Sequence, residues 1–217
     1  MTEHNFEQMR RAMVASQLRT TGVNDPRVVA AMGEVPRERF VPEARLPMAY
    51  ADTVVPLGNG RELNSPMALG RLLTEAQLLG EERSLVIGAA TGYAAALLAR
   101  LTGAVTALEE DPALIDFAKD ALKGTGVRLV QGALTNGYAD GGPYDFILID
   151  GAVEYVPQVI IDQLVDGGTL AAGMLEPGGM ARLSVGRRAG EGFGMTAYSD
   201  AASAIVPGFL RPRTFSF

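Results

Sequence analysis

The stretch Ser84-Leu-Val-Ile-Gly-Ala-Ala-Thr-Gly-Tyr93 decides how the chain is read. A short apolar run breaks into a turn bearing Gly88 and Gly92, and a helix-forming run, Tyr93-Ala-Ala-Ala-Leu-Leu-Ala-Arg-Leu101, follows at once. In proteins that alternate strand and helix, such a turn lies at the carboxyl end of a strand, where ligands bind. Bare backbone at Gly88 and Gly92 allows close approach, and the amides that open the next helix point toward whatever sits there. Ala89-Ala90 after Gly88 breaks the dinucleotide pattern GxGxxG, and the chain has no GK[ST] for a phosphate-gripping P-loop. The next apolar run, Ala104-Val-Thr-Ala-Leu-Glu109, ends in an acid 21 positions after Gly88. That spacing suits a carboxylate accepting hydrogen bonds from both ribose hydroxyls of a nucleoside cofactor. A tight turn with a purely structural role is the alternative.

Outward from this turn the pattern repeats. Toward the carboxyl end come a helix opened by Asp111-Pro112, an apolar VRLVQG run, a poorly patterned loop and the strand YDFILID. A helix near VPQVIIDQLV (156–165) and the strand TLAAG follow. Apolar strands interleaved with helices of about ten residues predict a doubly wound, mostly parallel sheet with helices on both faces. MARLSVGRR and GFGMTAYSD, on either side of a Gly-rich link, predict an antiparallel pair at the end. Upstream, Ser65-Pro66 reads as the cap and first turn of the helix MALGRLLTEAQL, and Asp25-Pro26 opens the shorter RVVAAMG. Phe6, Met9, Met13 and Leu18 fall near one helical face. Residues 34–63, with Pro36, Pro42, Pro47 and Pro56, read as an extended, irregular cover. The expected organisation is one α/β domain over 1–217, in which 1–64 form a helical cap and flap and 65–217 the core.

Bulk properties narrow the chemistry. The chain has 217 residues, 47% hydrophobic and 20% charged, which describes an ordinary globular protein. The net charge of −6 argues against nucleic-acid or acidic-membrane partners. No apolar run approaches the roughly 20 residues of a membrane span, and MTEHNFEQMRR is too polar for a secretory signal. A cytoplasmic setting is expected. With no cysteine and one histidine, His4, there is no Ser-His-Asp triad, Cys-His pair or histidine-rich metal site.

Beyond the turn, MVASQLRTTGVNDPRVVAAMGEVPRERFVPEARLPMAYADTVVPLGNG (13–60), LLTEAQL, LVIG, PYDFILID, VPQVIIDQLVDGG and the late VPGF stand in a fixed order. In this the chain resembles the protein-L-isoaspartate O-methyltransferase family, over about residues 8–175. The resemblance implies a class I methyltransferase, Rossmann-like fold and methyl transfer from S-adenosylmethionine to the free carboxylate of isoaspartyl residues in damaged proteins. It places Gly88, Ala90, Gly92, Tyr93, Glu109 and Ala133 along the cofactor cleft, and residues 54–66 over it as a substrate-side flap. Four positions depart from the family pattern: Val86 and Ala133 where acids are usual, Ala90 where a glycine is usual, and Asn64 where the substrate-side serine is usual. Glu110, beside Glu109, and Asp150, at the end of YDFILID, are candidates to compensate. Ser65 reads first as a helix cap and second as the displaced substrate-side serine, while Asn64 can donate to a carboxylate. The departures leave two other readings open: a catalytically impaired relative that binds or regulates a partner, and a methyltransferase acting on another acceptor.

Overall fold

The computed structural model describes residues 5–211; His4 lies outside them. Helix α1, Phe6–Ala12, starts where the Asn5 side chain accepts from the Gln8 amide, and continues without a break into a π-helical turn over Met13–Leu18. Met13 and Leu18 are both fully buried. Five positions apart, they share a face only if the helix widens to bonds between residues i and i+5, and it does so there. Helix α2, Pro26–Glu34, has the expected Asp25 cap.

The segment after α2 is more regular than its prolines suggest. Two 3₁₀ helices, Arg37–Phe40 and Glu43–Met48, precede a hairpin of strands β1, Val55–Gly58, and β2, Arg61–Leu63. Its turn residues, Asn59 and Gly60, have φ of 50° and 72°. Positive φ at both central positions is what a two-residue hairpin turn requires, and Asn-Gly is its strongest sequence signal.

The remaining elements are α3 (Pro66–Glu75), β3 (Arg83–Ile87), α4 (Tyr93–Leu101), β4 (Ala104–Glu109), α5 (Pro112–Ala121) and β5 (Arg128–Gln131), then β6 (Tyr144–Val153), α6 (Gln158–Ile161), β7 (Leu164–Leu175), β8 (Ala181–Ala189) and β9 (Gly192–Ala201). The seven-stranded sheet has the order β5-β4-β3-β6-β7-β8-β9. Pairs from β5 through β7 are parallel, and β8 and β9 are antiparallel. The expected helix over 156–165 shrinks to the four residues of α6, because Leu164 already pairs with Tyr144 and begins β7.

Alternation along the strands sends side chains to two separate cores. Val86, Ala107, Phe146, Leu148 and Ala171 pack under α3, α4, the carboxyl half of α5 and the N-terminal cap. Leu85, Ile87, Leu108, Ile147 and Ile149 face the other way. That second face is covered by α6, a 3₁₀ turn at Leu134 and the return segment around Val206 and Phe209. The return segment bonds to the far end of β6: Ala152 N donates to Ala204 O (2.6 Å) and Val206 N to Ala152 O (3.0 Å). Gly151 lets it come that close, since a Cβ there would lie 2.3 Å from Ala204 O.

Phe146 is fully buried in the central strand β6. Phe146→Ala is expected to cost about 3–5 kcal/mol, read as a lower urea midpoint at unchanged slope.

Candidate functional site

The chain order of the sheet reverses between β3 and β6, so a crevice is expected over the carboxyl ends of those two strands. The 88–92 turn is there. Gly88 N and Ala89 N both donate to Leu108 O at 3.0 Å, locking the turn onto β4. Thr91 Oγ1 donates to Phe40 O at 2.6 Å and ties it to the cap. Ala90 has φ of 51°, the left-handed conformation that L-residues adopt at a cost of about 1–2 kcal/mol. Gly92, at φ 99°, lies against Leu122, whose Cδ1 is 2.9 Å from where a Cβ would stand. Its bareness serves packing against the end of α5.

Glu109, fully buried, is the hub of the site. Its carboxylate accepts five hydrogen bonds: from Ala90 N (2.7 Å), Glu110 N (2.9 Å), Asp111 N (3.0 Å), and Arg61 Nη1 and Nη2 (2.5 and 2.9 Å). A carboxylate offers about four lone-pair sites, so this one is saturated. Arg61 is itself 7% exposed. Sequence reading passed over Arg61, although the Asn59-Gly60 turn beside it marks the hairpin that delivers it.

A second network lies around Asn64, which follows the β1–β2 hairpin. Asn64 Nδ2 donates to Asp150 Oδ1 at 3.2 Å, while Asn64 Oδ1 accepts from Ser65 N (3.0 Å) and Ala204 N (3.3 Å). Arg37, fully buried and also missed from sequence, donates to Ala49 O and Asn64 O, both at 2.8 Å. It lies 4.7 Å from the centre of the Tyr93 ring, with Nη1 making no hydrogen bond. Burial lowers the Arg37 pKa and pushes that of the Tyr93 hydroxyl up to about 12. Burial also raises the Asp150 carboxyl to about 6, against the opposing pull of Asn64 and the two arginines.

Gly88, Ala90, Tyr93, Glu109, Asn64 and Asp150 are thus interior groups. Asp150 is 4% exposed and accepts from Asn64, a buried strand acid in this arrangement. Ser65 is committed as a cap: its Oγ accepts from Ala68 N and donates to Ala202 O. The Glu110 side chain and Ala133 are exposed at the ends of β4 and β5, outside the hub. A cavity of about 540 Å³ opens at the opposite end of the sheet, between Ala76–Glu82 and Val165–Thr169. Among the described residues no group of His, Cys, Asp and Glu could hold a metal ion, and no helix is long and apolar enough to cross a membrane.

A seven-stranded sheet that is parallel from β5 to β7 and closed by antiparallel strands, with an acid ending β4 beside a glycine-bearing turn, has the class I methyltransferase type of α/β fold. Residues 9–202 match the family model for protein-L-isoaspartate (D-aspartate) O-methyltransferase, and the chain belongs to that family. Among its relatives is protein-L-isoaspartate O-methyltransferase 1 of Rhodopseudomonas palustris, 42% identical over 169 residues, which are 76% of this chain and 69% of the relative. The enzyme of Methanoculleus marisnigri is 39% identical over 166 residues, 75% and 76% of the two chains. In fold, the chain matches a solved protein-L-isoaspartate O-methyltransferase with a TM-score of 0.78 at 22% identity, over 93% of this chain and 66% of that one. A Plasmodium falciparum structure, described as such an enzyme in complex with S-adenosyl-L-homocysteine, gives 0.76 at 17% identity, over 93% and 97%.

A Cβ placed on Gly88 would lie 3.1 Å from Val206 Cγ1 and 3.7 Å from Arg61 Nη2, so side chains cover the bare backbone that a ligand would approach. With Glu109 saturated as well, an adenosyl group does not fit the residues as they are arranged here.

Two outcomes follow from the strained turn and the buried acid. Ala90→Gly is expected to stabilise the fold by about 0.5–1 kcal/mol, the relief of the left-handed backbone less the added freedom of the unfolded chain, seen as a higher melting temperature. Asp150 binds its proton more tightly folded than unfolded. Its contribution is therefore favourable at low pH and is lost as pH rises from about 4 to about 6. Asp150→Asn should leave stability near pH 4 unchanged and raise it at pH 7.5 by about 2–3 kcal/mol, measured by urea unfolding at both values.

Proposed function

We propose that this chain performs its family's reaction, methylation by S-adenosylmethionine of the free carboxylate of isoaspartyl residues in proteins or peptides, in the cytoplasm. The observation that supports it is the placement of Glu109: a buried acid at the carboxyl end of β4, bonded to the 88–92 turn at the point where the sheet reverses. The acceptor chemistry also suits the residues present. A carboxylate is already ionised at neutral pH, so no histidine or cysteine is required to take a proton from it. The cofactor would supply the methyl group. The chain's own part would be to hold the acceptor still and keep water away; Asn64, whose Nδ2 bonds Asp150, would have to exchange that acid for the acceptor carboxylate to take part.

A second reading, a relative that binds without turnover, is favoured by one observation: the two bonds from Arg61 that complete the saturation of Glu109. Methyl transfer separates the two. Incubation with S-adenosylmethionine labelled in the methyl group and an isoaspartyl peptide should give base-labile label on that peptide and none on its normal aspartyl counterpart. Equal, background label on both peptides at millimolar cofactor would remove the enzymatic reading and leave the binding one. Label on a different acceptor would keep the reaction and change the substrate.

A further inference from the structure

Resting on the family reading above, we propose that Arg61 is an internal stand-in for the ribose diol of a nucleoside ligand, and that the β1–β2 hairpin must lift for such a ligand to enter. A vicinal diol presents two O–H donors side by side to the two oxygens of a carboxylate. The Arg61 guanidinium presents two N–H donors to Oε1 and Oε2 of Glu109 in the same way. Of the five donors on Glu109, three are backbone amides of the 88–92 turn and of the entry to α5. They belong to the framework that the acid holds in place. Only Arg61 comes from an element separate from the seven-stranded sheet.

The hairpin is built to move as a unit. Its base is anchored by Val55 and Leu63, which are buried and paired with each other. Its tip is a run of three positive-φ residues, Gly58-Asn59-Gly60. A Cβ on either glycine would meet nothing within 4 Å, so the tip stands free of packing. Asn59 Nδ2 reaches across to Asp111 Oδ2 at 3.3 Å, an exposed contact at the mouth of the crevice. When the hairpin lifts, Arg61 leaves for water, Glu109 keeps its three amides, and two acceptor sites come free. Val206, 3.1 Å from the Gly88 Cβ position, is the remaining cover over the turn.

The test is calorimetric titration of adenosine and of 2′,3′-dideoxyadenosine into the wild-type chain, Arg61→Ala and the double variant Arg61→Ala/Val206→Ala, each checked for folding by circular dichroism. Adenosine is expected to bind R61A at least about tenfold more tightly than wild type. For dideoxyadenosine, which lacks the diol, the gain should disappear. A gain equal for both nucleosides would overturn the proposal, since Arg61 would then block space and not replace the diol. Equal adenosine affinity in wild type and R61A would overturn it too, while leaving the cofactor reading intact if both bind. Silence of all three folded proteins would remove the cofactor reading along with the proposal. Hydrogen exchange on the wild-type chain needs no variant. Amides 57–63 should exchange faster with S-adenosylhomocysteine bound at millimolar concentration, and slower or unchanged exchange there would show that the hairpin stays down.

Discussion

One buried carboxylate organises the functional end of this molecule. Glu109 has no contact with solvent, so its charge is tolerable only if its oxygens are filled by donors. Three of them are backbone amides, of Ala90, Glu110 and Asp111, which pins the 88–92 turn and the start of α5 to the end of one strand. Because Ala90 is one of the three, the bond also holds that residue at its unfavourable φ of 51°. The remaining charge is met by Arg61, which fastens the hairpin over the same point. Turn, helix entry and hairpin are therefore coupled through a single side chain.

The second buried network obeys the same rule with less success. Arg37 carries a guanidinium into the interior with one nitrogen unpaired, and Asp150 lies nearby with no direct bond to it. Asn64 mediates between them, accepting from Arg37 at its carbonyl and donating to Asp150 from its side chain. A residue without a side-chain donor at 64 would lack that second bond. The amide of Asn64 is thus spent on an internal acid that burial drives toward its protonated form.

The parallel core was legible because its strands alternate between two apolar faces and its helices open at Asp25-Pro26, Ser65-Pro66 and Asp111-Pro112, all three of which cap as read. The positions of Gly88, Gly92 and Glu109 at one crevice were legible from strand ends and spacing. The state of that crevice was not. Arg61 lies 48 residues from Glu109 in sequence, and no local pattern reports a pairing over that distance. Arg37 sits in a proline-rich stretch where charge reads as exposure, yet it is fully buried. The β1–β2 hairpin was within reach, since Asn59-Gly60 carries its signature, but the four prolines around it masked the pattern.

Whether the Arg61–Glu109 pair is a lock or a latch turns on where each charge goes when they part. Removing one member of a buried pair usually costs about 3–5 kcal/mol, because the other is left as an uncompensated charge. Here neither member is stranded by separation. Glu109 retains three amide donors to its oxygens. Arg61 is on a two-stranded element whose tip already faces solvent, so its guanidinium recovers hydration as the hairpin rises. A ligand with two adjacent hydroxyls would then restore the lost bonds to the acid, and the cost of opening would be that of repacking Arg61, lifting Leu57 off the core, breaking the Asn59–Asp111 bond and moving Val206. A pair built to close the crevice for good would have its cation on a rigid strand of the main sheet. Placement of the cation on the hairpin, outside the seven-stranded sheet, is the feature on which the proposed opening rests.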